Sequence, residues 1–303
     1  MSLKRKMSLK SKNRLFIILM LLPALAIVLT FTYYPMFKGI KMAFQNYNLF
    51  NISNIEWVGM KNFEELFART PGNMFYNTLW NTVKWVGISL FFQFTIGFAL
   101  AMMLKRRFRG SGVYQGVIFF PWAVSGFMIG IMWRWMFNGT SGVINDILVK
   151  LGILSQPYGF LSEPSSALYS VIVANVWYGI PFFTIMLTAA LQGVPEELYE
   201  AASVDGGSAF KQFFMITLPC IKPVLILTVL LRVIWIFNFP ELIYSMTNGG
   251  PGGSSHIITS YMMETIKGLD YGKGSAIGVV VILILSIYTI FYLCITKFDK
   301  EEE

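Results

Sequence analysis

The chain has little charge, two cysteines and one histidine, and each shortage narrows the classes of protein that it can belong to. Only 13% of its 303 residues are charged, about half the share of soluble domains, whereas 55% are hydrophobic. Cys220 and Cys294 stand far apart, which excludes a disulfide framework and a zinc-binding spacing. His256 follows a Gly/Ser-rich stretch and is predicted to be a solvated loop residue. Enzyme chemistry based on His or clustered Cys is therefore not expected, and we predict no catalytic and no metal-binding residues.

The net charge of +8 is carried by short clusters of Lys and Arg that lie between apolar runs. Clusters placed in this way set the orientation of a membrane protein and do not form a basic stripe for nucleic acid. We therefore expect the lipid bilayer as a partner and no nucleic acid.

Long apolar stretches make up most of the chain, whose mean hydropathy is +0.59. A helix needs roughly 20 apolar residues to cross a bilayer core of about 30 Å. The pattern predicts an all-α integral membrane protein with six transmembrane helices. The transmembrane domain covers 15–298 between tails at 1–14 and 299–303, and the spans lie at about 15–37, 80–104, 113–137, 167–191, 218–244 and 275–297.

The first apolar stretch has two readings, because a basic leader precedes both signal peptides and retained helices. Its uncharged run is longer than the apolar region usual in signal peptides, and Thr32-Tyr33-Tyr34-Pro35 follows in place of a cleavage site with small residues. We therefore expect a retained helix.

The densest basic cluster, KRRFR at 105–109, lies in a very short loop, where positive charge most strongly marks the cytoplasmic side. This predicts that both termini and the loop 192–216 are cytoplasmic. The segments 38–84, 138–166 and 241–274 would then be external.

The loop 192–216 has the pattern of two short helices joined by glycine. Pro195 followed by two acidic residues favours a helix start, and Asp205-Gly206-Gly207 favours its end. Ala201 and Ala202 give the first helix a flat surface that another protein could approach closely. From the residues alone, an amphipathic loop resting on the membrane stays an equal alternative.

The loop also resembles the EAA motif of binding-protein-dependent ABC importer permeases. The match consists of Glu200-Ala201-Ala202, Asp205-Gly206 and Ile216-x-Leu218-Pro219. Two further stretches, Asn175-x-Trp177-x-Gly179-x-Pro181 and Thr247-Asn248-Gly249-Gly250-Pro251, resemble the carbohydrate-uptake branch and its MalF-type subunit.

The resemblance implies a type I ABC importer permease fold that moves a sugar or oligosaccharide into the cytoplasm. The loop would be the coupling helix that docks on an ATPase. The chain itself would not be an enzyme and would hold no cofactor, since ATP and Mg would sit on the ATPase. The implied coupling residues are Glu200, Ala201, Ala202, Asp205 and Gly206.

The same resemblance implies an assembly in the cell (inner) membrane of a bacterium or archaeon. Its other members would be a second permease subunit forming a heterodimer, two copies of a cytoplasmic ABC ATPase, and an extracytoplasmic solute-binding protein.

Sugar-binding residues are expected on the fourth and fifth spans, where the resemblance places the sugar site. Sugars offer apolar faces to aromatic rings and polar edges to amides. The fourth span carries a suitable set on one helical face, and the alternative for its aromatic rings is ordinary helix packing. The candidates are Asn175, Tyr178, Gly179, Phe182, Trp235 and Asn238.

Arg232 lies in the fifth span, where a charge costs at least about 2.5 kcal/mol unless it finds a partner or water. It either faces the transport pathway, where it would favour an acidic sugar, or forms a salt bridge to the second permease. Of these two alternatives we favour the salt bridge, and we keep Arg232 among the substrate-binding candidates.

Two other functions stay open on the residues alone. The chain could serve an ABC importer of another solute such as phosphate, an amino acid or a peptide. It could also be a secondary transporter or a membrane enzyme, although we find neither inverted repeats nor a catalytic constellation.

Overall fold

The structure is a computed structural model that describes residues 9–105 and 108–296. The tail residues 1–8 and 297–303, and Arg106 and Arg107 of the basic cluster, lie outside the described residues. Within this part of the chain the regular structure is helical. The α-helices are α1 (Leu9–Val28), α2 (Tyr34–Met42), α3 (Lys61–Phe67), α4 (Phe75–Leu104), α5 (Ser111–Phe119), α6 (Gly126–Met136), α7 (Val143–Lys150), α8 (Ala167–Gln192), α9 (Glu196–Val204), α10 (Ala209–Gln212), α11 (Leu218–Phe237), α12 (Glu241–Met246), α13 (Ile258–Lys267) and α14 (Tyr271–Thr296).

Four short segments of π- or 3₁₀-helix link some of these helices. π-helices at Leu29–Tyr33 and Phe213–Thr217 continue into α2 and α11, and 3₁₀-helices occupy Leu49–Asn54 and Phe120–Ala123. Because the two π segments join α-helices end to end, the helical chain runs through them without a break.

Five stretches of the described chain are long and apolar enough to cross a membrane, and a bent pair of helices makes a sixth if it counts as one span. The five stretches are Phe16–Met42, Phe75–Leu104, Ala167–Gln192, Ala209–Met246 and Tyr271–Thr296. The chain is therefore a multi-pass, all-α membrane protein.

The sixth stretch, predicted as one span over 113–137, is broken. Ser111–Ala123 and Gly126–Met136 meet at a bend of 99°. Pro121 lies in the 3₁₀ turn, Val124 is extended, and the Ser125 hydroxyl accepts a hydrogen bond from the Met128 backbone N–H at 3.4 Å to cap a new helix. The apolar pattern continues across this bend, which is why the sequence reads as one helix.

Two compact units divide the chain and are described separately: residues up to Phe67 with Thr265–Val279, and Ala68–Glu264 with Val280 onward. In the first unit the apolar residues of 16–37 are exposed, as expected of a helix that lipid covers. Asn62 is the second residue of α3. Its amide donates to the carbonyl oxygens of Ala43 and Gln45, both at 2.8 Å, and ties α3 to the end of α2.

The core of the second unit is built where α4 and α8 pack together and α6, α11 and α12 close around them. Trp85, Val171 and Ile236 are fully or almost fully buried there. Gly97 of α4 permits close approach, because a Cβ at this position would overlap the Phe183 Cβ of α8.

His256 is buried, so the prediction of a solvated histidine is wrong. Its side chain is 5% exposed, and Nδ1 lies 3.0 Å from the Ser260 hydroxyl. The amide of Asn81 donates to the carbonyl oxygens of Ser254 and His256, and Gly249 packs directly against the imidazole ring. The Gly/Ser-rich segment is thus a folded loop, which composition alone does not reveal.

Candidate functional site

A polar network crosses three helices of the second unit at Arg232. The Arg232 Nε–H donates to Gln93 Oε1 at 2.7 Å, and Gln93 Nε2 donates to the Asn175 carbonyl oxygen at 2.8 Å. Asn175 Nδ2 in turn donates to the Ser89 hydroxyl at 2.9 Å. α4 therefore holds the two polar residues that α8 and α11 contribute.

Arg232 is 3% exposed, and an amide rather than a carboxylate holds it. By contrast, Lys150 and Asp146 form an ion pair on the surface. The guanidinium carbon also lies 5.5 Å from the centre of the Phe182 ring, within the range of a cation–π contact. A buried charge without a carboxylate needs polar groups or water from an adjoining space.

Such a space is present as a cavity of about 250 Å³ beside this network. Its aromatic walls are ordered by stacking: the rings of Tyr178 and Phe239 are 5.1 Å apart and nearly parallel. The lining residues are Trp122, Asn175, Tyr178, Arg232, Ile234, Trp235, Ile236, Asn238 and Phe239.

Five of the seven substrate residues expected from the sequence line this cavity, namely Asn175, Tyr178, Arg232, Trp235 and Asn238. The other two lie behind it. A Cβ on Gly179 would overlap the side chains of Gln93 and Arg232, so this glycine gives the network room. The Phe182 ring packs against Trp122 and Trp235, with centroid distances of 5.7 and 5.1 Å.

The site also contains a hydrogen-bond acceptor that is not satisfied. Asn175 Oδ1 is buried and has no hydrogen-bond partner among the described residues. An unpaired buried acceptor costs free energy until a donor reaches it. Asn175 and Arg232 therefore offer the cavity an acceptor and a cluster of donors, between aromatic walls.

Sequence reasoning missed three residues here. Trp122 lines the cavity, and Gln93 and Ser89 hold its polar groups. Gln93 is an amide inside the long uncharged run of α4, which is a readable signal of a buried polar contact. The place of Trp122 depends on the 99° bend, for which Pro121 is the only local sign.

The loop 192–216 forms an elbow of two helices. α9 ends in a Schellman motif at Gly206, whose φ is +74°: the Gly207 N–H donates to the Ala202 carbonyl at 2.7 Å, and the Gly206 N–H donates to the Ser203 carbonyl at 3.1 Å. Ser208 then caps α10. The elbow therefore follows from local sequence.

The elbow presents the motif residues on its surface. Glu200, Ala201, Asp205 and Gly206 are exposed, and Ala202 is half-buried. Apolar side chains are exposed beside them, with Val204 at 89% and Phe210 at 76%. Solvated apolar side chains on both sides of a fixed turn form a surface that a protein partner could cover.

These features define a membrane transport subunit: membrane-length helices, a polar cavity inside them and an exposed helical elbow. The chain belongs to the family described as binding-protein-dependent transport system inner membrane component, which matches residues 93–299.

Relatives and solved structures agree with this membership. The chain is 34% identical to the trehalose/maltose transport system permease protein MalF of Thermococcus litoralis, over 93% of this chain and 94% of that protein. It is similar, at 25% identity and a TM-score of 0.81, to a chain of a bacterial ABC transporter involved in the import of the acidic polysaccharide alginate, covering 94% of this chain and 96% of that one.

A second structure shows the alginate ABC transporter with an alginate pentasaccharide-bound periplasmic protein. A chain in it is 26% identical with a TM-score of 0.79, and the match covers 93% of both chains. The chain therefore has the fold of an ABC importer permease.

Proposed function

We propose that this chain is the permease subunit through which an ABC importer moves a sugar or oligosaccharide into the cytoplasm. The observation that carries the proposal is the cavity lined by Asn175 and Arg232, which combines aromatic walls with a guanidinium group and with a side chain whose amide oxygen is unsatisfied. The names of the relatives, which concern trehalose, maltose and alginate, point to the same class of solute.

The chemistry of the cavity suits a saccharide. The rings of Tyr178, Trp235 and Phe239 can cover the apolar faces of a sugar ring. Asn175 Oδ1 can accept a hydroxyl hydrogen, and Arg232 keeps guanidinium N–H groups beyond the one that Gln93 uses. Asn238 adds a second amide. The substrate residues are thus Asn175, Tyr178, Trp235, Asn238 and Arg232, with Gly179 and Phe182 supporting them from behind.

The elbow supplies the coupling surface. Glu200, Ala201, Ala202, Asp205 and Gly206 dock on one of two copies of a cytoplasmic ABC ATPase, and ATP-driven closure of the ATPases moves the membrane helices. ATP and Mg bind to that partner, and this chain hydrolyses nothing. The exposed apolar side chains of Val204 and Phe210 support this role.

Membership of the family supports the remaining parts of the proposed assembly. A second permease subunit pairs with this chain, and an extracytoplasmic binding protein delivers the solute. The chain lies in the inner membrane of a bacterium or archaeon with both termini and the loop 192–216 in the cytoplasm. Its transmembrane domain covers 15–298.

Purification of the tagged chain from its native membrane tests the proposal. We expect a second permease, an ABC ATPase and a solute-binding protein in the preparation, and ATP-dependent sugar uptake after reconstitution. Isolation of the chain without an ATPase would contradict the proposal. If the co-purified binding protein bound phosphate, amino acids or peptides but no sugar, the chain would serve another solute.

A further inference from the structure

Tyr199 connects the elbow to the ends of two membrane helices. It belongs to α9 and precedes the motif residue Glu200. Its phenolic oxygen lies 2.8 Å from the Thr217 hydroxyl, which belongs to the π segment just before α11. Lys105, which follows the last residue of α4, places Nζ 3.9 Å from the centre of the Tyr199 ring. One side chain of α9 therefore contacts two other elements.

Other polar contacts of α9 stay within the loop. Gln212 Nε2 donates to the Ser203 hydroxyl at 2.9 Å and to the Gly207 carbonyl at 3.1 Å. These bonds brace α9 against α10, so the elbow is internally fixed. A force applied to its surface would therefore displace α9 and α10 together.

The π segment at Phe213–Thr217 joins α10 to α11, so a displacement of the elbow would reach the membrane helices through it. π-helical turns are wider than α-helical ones and are frequent at functional sites. Phe213 packs edge-on against Phe98 of α4, with ring centroids 5.9 Å apart, and Thr217 is 3% exposed. A hydrogen bond at this buried hydroxyl acts directly on the start of α11.

We propose that Tyr199 is a positioning residue for coupling: its hydroxyl and its ring transmit movement of the docked elbow to α11 through Thr217 and to α4 through Lys105. α11 carries Arg232 at the cavity, and α4 carries Gln93, which holds it. Movement of the two helix ends thereby reaches both sides of the cavity. This inference rests on the proposed function, in which the elbow docks on an ATPase.

Tyr199→Phe and Thr217→Val each remove the hydrogen bond from one side and keep the shape of the side chain. Tyr292→Phe is the matched control, because it removes a tyrosine hydrogen bond at 3.1 Å between α14 and the Ile226 carbonyl, away from the elbow. The measurement is the number of ATP molecules hydrolysed per sugar transported, in the complete complex in liposomes.

We expect both elbow variants to raise this ratio by about two- to tenfold, the range set by one neutral hydrogen bond. The double variant should resemble either single variant, because both changes remove the same contact. The ratio for Tyr292→Phe should stay unchanged. A general loss of folding lowers ATP hydrolysis and transport together and leaves the ratio unaltered.

The inference is overturned if the two elbow variants keep the ratio of the unmodified complex, or if they shed the ATPase during purification, which would make Tyr199 an assembly contact. An unmodified complex without any ATP-dependent uptake would instead contradict the proposed function itself. The two failures are thus distinguishable.

Discussion

At the scale of single residues, buried polar side chains provide the groups that can bind a solute in this permease. Arg232 is surrounded by apolar helices, yet Gln93 and the Phe182 ring hold it beside the cavity. The predicted salt bridge to a second permease would have to reach a side chain that is only 3% exposed in this chain.

Replacement of Arg232 by Gln removes the charged donors from the cavity. Hydrogen bonds to a charged group contribute about 1.5–3 kcal/mol, so sugar uptake should fall roughly ten- to hundredfold while the assembled complex stays intact. Uptake assays with neutral and acidic sugars measure this, and a larger loss for acidic sugars would identify an anionic substrate. Arg134→Gln, at an exposed arginine of α6, is the control. If uptake of both classes fell equally and the complex dissociated, Arg232 would be a subunit contact.

Gly179 permits the network to form. In Gly179→Ala the new Cβ would overlap Gln93 and Arg232, and such overpacking typically costs about 1–3 kcal/mol. We expect a lower unfolding temperature in detergent and weaker sugar uptake. Gly87→Ala provides the comparison, because a Cβ there meets nothing within 4 Å. Equal behaviour of the two variants would show that Gly179 has no such role.

The contacts of single residues were the hardest part to anticipate. The sequence pointed to Asn175 and Arg232 because polar groups in apolar runs are conspicuous. Gln93 lies 139 positions from Arg232, and no local pattern links residues at that separation. His256 was misread for a related reason: its loop is held by the amide of Asn81, which lies 175 positions away and donates to the His256 carbonyl oxygen.

Among the helices, the apolar pattern of the sequence predicts some boundaries correctly and misses others. The pattern predicted a helix over 167–191, and α8 spans Ala167–Gln192, because its apolar run is uncharged and the helix continues through Pro181. The same reasoning joined α5 and α6 into one span, although Val124 is extended and Ser125 caps a new helix. An apolar run indicates that a segment is buried in lipid or protein, but it does not show whether the helix axis bends within that segment.

The elbow depends on the left-handed backbone of Gly206. Gly206→Ala meets no neighbouring atom but holds alanine at a φ of +74°, which costs about 1–2 kcal/mol. Gly152→Ala imposes similar strain at a φ of +70° in the turn after α7, also without a steric neighbour. Both variants should lower thermal stability similarly, whereas only Gly206→Ala should reduce sugar-stimulated ATP hydrolysis. Equal hydrolysis in the two would argue against a coupling role for the elbow.

At the scale of the whole molecule, two long helices, α8 and α11, join the elbow to the cavity. α8 carries the cavity residue Asn175 and ends at Gln192, shortly before α9, whereas α11 begins after Thr217 and carries the cavity residue Arg232. These two helices therefore connect the surface proposed for ATPase docking with the cavity proposed for sugar.

Crosslinking from the elbow shows whether a separate ATPase drives this chain through the loop 192–216. Cys220 and Cys294 are first replaced by Ser, and one cysteine is then placed at Ala201, with Ile153→Cys as an exposed control on the segment predicted to be external. In native membranes, a short thiol-to-amine crosslinker should join the cysteine at 201 to an ABC ATPase, and nucleotide should change the yield. A chain that never captures an ATPase from position 201, or that reacts there with a membrane-impermeant reagent added outside, would contradict the account.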